Sequence, residues 1–202
     1  MLAPMSSHIS RLSLLSLCVW VPTSAMAHAG GEAHSFVAGV LHPLGGLDHL
    51  VAMLAVGLLA GHYGGAMRWW LPTSFVAAMA VGTTFGAGEG AQTFTEIGIA
   101  CSLLAFGLAL LSKPSLRATA LIVSTAGFAL VHGHAHGAEM NGDVSTLPFI
   151  FGLMLTTAIL HVVGVVLTTA RVLAAARPAL LKWSGSAITF GGVVLLGMLL
   201  QG

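Results

Sequence analysis

Apolar positions in this chain are gathered into long blocks separated by short polar or glycine-rich stretches. Six blocks follow residue 35, spanning roughly 36–60, 69–87, 93–111, 116–132, 147–170 and 180–200. Each approaches the ~20 residues an α-helix needs to cross the hydrocarbon of a bilayer. The connections are short and no tract is of low complexity, so the pattern predicts one compact helical domain without linkers. Gly57-x-x-x-Gly61 and Gly82-x-x-x-Gly86, among many small residues, would let helices approach closely.

The chain before the first block reads differently. Arg11 precedes an apolar run from Leu12 to Val21, which Pro22-Thr23-Ser24-Ala25-Met26-Ala27 follows. A charged start, a short apolar stretch and Ala-x-Ala describe a cleavable secretory signal, and ten apolar residues are too few to span. The expected organisation is therefore a signal peptide over 1–27 and a six-helix transmembrane domain over 28–202. Cleavage would leave Cys101 as the single cysteine, which excludes an internal disulfide. It would also expose His28 as the new N-terminus, with an α-amine and an imidazole available to one ion and His34 six residues on.

Composition fixes the class. Hydrophobic residues make up 56% and charged residues 6% of the 202, with mean hydropathy +0.96. A soluble domain carries about 25% charged residues, so this is an all-α integral membrane protein. The formal net charge of +1, without a basic or acidic block, points to no nucleic-acid partner. Beyond the signal all six basic residues (Arg68, Lys113, Arg117, Arg171, Arg177 and Lys182) lie in or beside the segments 61–68, 112–115 and 171–179. The alternate loops carry Glu32, Glu89 and Asp143 and no Lys or Arg. The positive-inside rule then sets both termini outside, in a multi-pass protein of a bacterial inner membrane.

Ionisable groups inside apolar segments are costly and commonly mark an ion or proton path. The first block contains His42-Pro43-Leu44-Gly45-Gly46-Leu47-Asp48-His49. His42 and His49, seven apart, share a face of a continuous helix, with Asp48 beside them. Pro43, Gly45 and Gly46 favour a bend there. Met53 follows His49 by one turn, where core packing is its simplest role. The fourth block ends Val131-His132-Gly133-His134-Ala135-His136-Gly137-Ala138-Glu139. If helix continues, His132, His136 and Glu139 line one face and His134 points elsewhere. The predicted topology brings both clusters to the outer side at similar depth. Imidazole with carboxylate suits nickel, cobalt or zinc, whereas calcium and magnesium favour oxygen. Glu96 opens the third block, facing either headgroups or the path. His161, in the middle of the fifth, is either a deeper relay or a packing residue bonded to Thr156 or Thr157.

These residues resemble the HupE/UreJ family of nickel/cobalt permeases. His42-Pro43-x-x-Gly46-x-Asp48-His49-x-x-x-Met53 matches the family's HPxxGxDHxxxM signature, and His132-Gly133-x-Ala135-His136-Gly137-x-Glu139 matches its second. The resemblance extends over essentially the whole chain after the signal. It implies nickel or cobalt uptake, with His42, Asp48 and His49 required and His132, His136 and Glu139 contributing.

The expectation is a secondary permease importing a divalent transition-metal ion, Ni2+ first and Co2+ second. The metal set is His42, Asp48, His49, His132, His136, Glu139, His28 and His34. No phosphate-binding loop is present, so neither nucleotide nor ATP hydrolysis enters. No prosthetic group, catalysis or nucleic acid is expected, and oligomeric state is open. Alternatives are a metal sensor or chaperone that binds without transport, a b-type haem electron carrier using His132 and His161, and an intramembrane metalloenzyme.

Overall fold

The computed structural model describes residues 35–86, 92–112, 114, 117–139 and 146–201. Residues 1–34, which hold the expected signal peptide, His28 and His34, lie outside the described residues, as do 87–91 and 140–145. Among these described residues seven α-helices follow in order: α1 (Phe36–Gly45), α2 (Leu47–Tyr63), α3 (Met67–Phe85), α4 (Gln92–Leu111), α5 (Ala118–Glu139), α6 (Thr146–Thr169) and α7 (Arg177–Leu199), with a 3-10 turn at Arg171–Leu173 before α7.

The first apolar block is two helices. Ser35 starts α1, its side chain accepting from the Ala38 amide at 3.1 Å, as an N-cap should. Gly46, in extended conformation (φ −106°, ψ 115°), ends α1 and begins α2, and the axes turn by 88° across it. The bend expected at Pro43, Gly45 and Gly46 is present. It nevertheless overturns the face argument, because His42 and His49 stand on different helices and do not lie two turns apart on one.

Among the described residues, Gln92–Leu111, Ala118–Ala138, Leu147–Thr169 and Arg177–Leu199 are long and apolar enough to cross a membrane, and the bent pair α1–α2 makes a fifth candidate span. The sixth expected crossing, α3, has 19 residues. It falls short in composition, since Arg68, Pro72, Thr73, Ser74, Thr83 and Thr84 dilute its apolar content. The fourth block also runs further than hydropathy alone indicated: α5 continues through the His-rich stretch to Glu139.

Small residues bring the helices together in three pairs. A Cβ on Gly57 (α2) would lie 2.2 Å from the His161 carbonyl of α6, and one on Gly82 (α3) 2.3 Å from the Leu130 carbonyl of α5. Gly39 meets Phe149 and Gly57 meets Gly164, so α1–α2 and α6 run in the same direction. Met79 and Gly82 meet Gly133, and Gly86 meets Gly137, so α3 and α5 also run together. Gly107 meets Gly185 and Leu104 meets Gly192, so α4 and α7 are antiparallel. The core holds Met53, Leu59, Leu71, Phe75, Met79, Phe106 and Leu153, all buried. Large apolar side chains such as Phe85, Phe94, Phe151 and Phe190 face outward. An apolar exterior of this kind suits lipid and would aggregate in water.

Candidate metal site

The helix break carries the first half of the site. Asp48 sits in the first turn of α2 and accepts from the His49 amide at 2.9 Å, satisfying a donor that the helix start leaves open. The same Oδ1 lies 3.0 Å from His49 Nδ1. A carboxylate only accepts, so His49 Nδ1–H donates to Asp48, and in the neutral ring Nε2 of His49 is then a bare lone pair. That atom is buried without a partner. The half-positive end of α2 would repel a cation, and Asp48 offsets it, whereas the C-terminal end of α1 presents the favourable, negative pole.

The second half comes from α5. His132 and His136, one turn apart, are 0% and 1% exposed. Ser102 of α4 donates its single hydroxyl proton to the Ile99 carbonyl at 2.7 Å. It therefore accepts from His132 Nε2–H at 3.1 Å, and Nδ1 of His132 is left as a buried lone pair without a partner. Nδ1 of His136 lies 2.9 Å from Nε2 of His42. With the shared proton on His136, its Nε2 becomes a third buried, unpartnered lone pair.

The two motifs meet, as the topology argument anticipated. Ring centroids are 4.8 Å apart for His42 and His136, 4.8 Å for His49 and His136, and 5.2 Å for His49 and His132. Two imidazoles on one tetrahedral ion, with metal–nitrogen distances near 2.0–2.1 Å, have centroids roughly 5 Å apart. Yet no three His, Cys, Asp or Glu side chains among the described residues stand posed around one ion. The cluster has the donors and ring spacing of a metal site without its closed coordination geometry. Ring rotations would be needed to complete it.

His134 is half-buried and lines a cavity of about 200 Å³ with Gly82, Phe85, Phe94, Leu130 and Val131, away from the cluster as its spacing predicted. Glu139 is the last residue of α5, and its side chain is outside the description. Glu96 is half-buried in the first turns of α4. Three contributors were not anticipated: Ser102, Phe149 with its ring 5.2 Å from that of His42, and Phe75 with its ring 5.6 Å from that of His132. A single hydroxyl and two of nine phenylalanines carry no sequence signature that separates them from packing residues.

Among the described residues, an all-helical architecture with an apolar exterior marks a multi-pass membrane protein, with imidazoles gathered at its broken helix. The chain belongs to the HupE/UreJ family: the family described as HupE / UreJ protein matches residues 15–195. Protein HupE of Rhizobium leguminosarum bv. viciae is 32% identical over 187 residues, covering 93% of this chain and 97% of that protein. No solved structure matches. The family is associated with nickel and cobalt uptake and is of transporter rather than enzyme type.

Proposed function

We propose that this chain is a secondary permease of the bacterial inner membrane that imports a divalent transition-metal ion, Ni2+ first and Co2+ second. The observation that carries the reading is the trio of buried, unpartnered imidazole nitrogens on His49, His132 and His136. Buried polar atoms are normally hydrogen-bonded, and three adjacent exceptions, each a lone pair in the neutral tautomers described above, are what a transition-metal cargo would use.

In this reading the N-terminal His28 and His34 gather ions at the outer surface. The ion sheds part of its water to bind His49, His132 and His136. Asp48 holds the His49 ring in the ligating tautomer, as carboxylates commonly do behind metal-bound histidines. His42 does the same for His136, and Glu139 contributes charge at the outer end of α5. Six alternating crossings agree with the pairing of α1–α2 with α6, α3 with α5 and α4 with α7, because strict alternation makes the first two pairs parallel and the third antiparallel. The exposed Trp69, Trp70 and Trp183 all lie beside the basic residues at the expected inner boundary, where interfacial aromatics belong. An inside-negative potential favours entry of a divalent cation by about 4.6 kcal/mol per 100 mV, twice the single-charge value. Passive flux then suffices without ATP. The haem alternative is disfavoured by Phe75, whose ring packs on both His132 and His161.

Equilibrium binding to purified full-length protein in nanodiscs tests the site. Nickel and cobalt should compete for one saturable site that about a thousandfold excess of magnesium leaves occupied, in keeping with nitrogen rather than oxygen donors. The double variant His132→Ala/His136→Ala should lose it. Magnesium competition, or unchanged binding by that variant, would contradict the assignment.

A further inference from the structure

Behind the cluster lies a third fully buried histidine among the described residues, one that the site above leaves unused. His161, 0% exposed in the middle of α6, has neither ring nitrogen paired. The hydroxyls expected to satisfy it are committed elsewhere. Thr156 donates to the Val40 carbonyl at 2.8 Å, and Thr157 donates to the Leu153 carbonyl at 2.9 Å. An imidazole buried with both nitrogens idle carries a desolvation penalty that a leucine of similar volume would avoid. Packing therefore does not account for it.

Its surroundings connect it to the outer cluster. The Phe75 ring stands edge-on to His161 at 5.1 Å and 86°, and the same ring lies 5.6 Å from His132. A single phenyl group thus bridges the two buried imidazoles. On the other side Met53, one turn inward of His49 on α2, offers its Sδ 3.3 Å from Thr157 Oγ1, one turn outward of His161 on α6. The His161 carbonyl is packed against Gly57, eight residues and so about 12 Å along α2 from His49. Inward of the outer cluster, His161 therefore carries two buried ring nitrogens that no protein group engages.

We infer that His161 is an inner station for the transported divalent metal ion, separated from the outer imidazole cluster by the Phe75 ring, which must swing aside for each transfer. The inference rests on the permease reading. An ion moved from one nitrogen site to another never faces the full cost of an unliganded charge in hydrocarbon, and the aromatic partition keeps the two sites from forming an open, leaky column.

The test uses full-length protein in liposomes with an inside-negative potassium diffusion potential and nickel outside, reading flux, equilibrium nickel binding and thermal unfolding together. His161→Leu should slow flux by at least about tenfold. Nickel affinity of the outer cluster should remain within about twofold of native, since His161 takes no part in it, and the Tm should be unchanged or higher because an unpaired imidazole is gone. His161→Cys, which restores a donor atom, should recover a substantial part of the lost flux. Native flux by folded His161→Leu overturns the inference. So does an equal loss in the Leu and Cys variants, which would assign His161 to packing, and so does a parallel loss of outer-cluster affinity. A native protein that neither binds nor carries nickel overturns the permease reading itself, a result recognisable before any variant is compared.

Discussion

At the scale of single residues, proton positions decide which atoms are available to an ion. Asp48 illustrates this most directly. The sequence put it beside His49 as a ligand, and its Oδ1 is engaged by the amide and Nδ1–H of His49, which directs Nε2 of that ring away from the carboxylate. Asp48→Asn should therefore lower nickel affinity roughly 10- to 100-fold, the range seen when a carboxylate behind a ligating histidine is lost. It should do so without unfolding the protein, as equilibrium binding and a thermal scan would check. Ser102→Ala would leave His132 Nε2–H without its acceptor, costing about 1–3 kcal/mol of stability, a loss the same scan would detect. The histidines themselves were legible because ionisable groups in apolar blocks stand out. Ser102 and Phe75 were not, because their roles arise only from what α5 and α6 bring against them.

At the scale of helices, two features organise the site: the right-angle break at Gly46 and the glycine contacts that hold the pairs together. The break was half legible. Pro43, Gly45 and Gly46 announced a bend, but the motif's seven-residue spacing suggested a continuous face, and a periodicity argument fails wherever the helix it presumes is interrupted. The break brings His42 and His49 to His136 from two directions. The glycines give a sharper prediction, because two of them on α5 have opposite surroundings. A Cβ on Gly133 would lie 2.1 Å from the Met79 carbonyl, whereas one on Gly127 meets nothing within 4 Å. Gly133→Ala should push α3 from α5 and destabilise by about 1–3 kcal/mol. Gly127→Ala should be neutral or gain up to about 1 kcal/mol from helix propensity. Thermal unfolding of the two variants side by side reads the contrast, and equal Tm values would argue against tight α3–α5 packing.

At the scale of the whole molecule, hydropathy and charge foretold an all-helical membrane protein and brought two distant motifs to one depth. Composition left α3 ambiguous, since its polar residues dilute a helix of nearly spanning length. The ambiguity has a physical source: a helix packed along much of its length on a partner needs less apolar character than one ringed by lipid, and α3 packs closely on α5 through Gly82 and Gly86. The proposed task of the assembled bundle is to admit a transition-metal ion through imidazoles held at the broken helix. Its most direct test is nickel uptake by cells lacking their own nickel importers, comparing the native chain with Asp48→Ala and His49→Ala at matched membrane abundance. Uptake by the native chain should be competed by cobalt and not by excess magnesium, and should fall at least about tenfold in both variants. Equal uptake by all three chains, or none by a well-expressed native chain, would contradict the proposal.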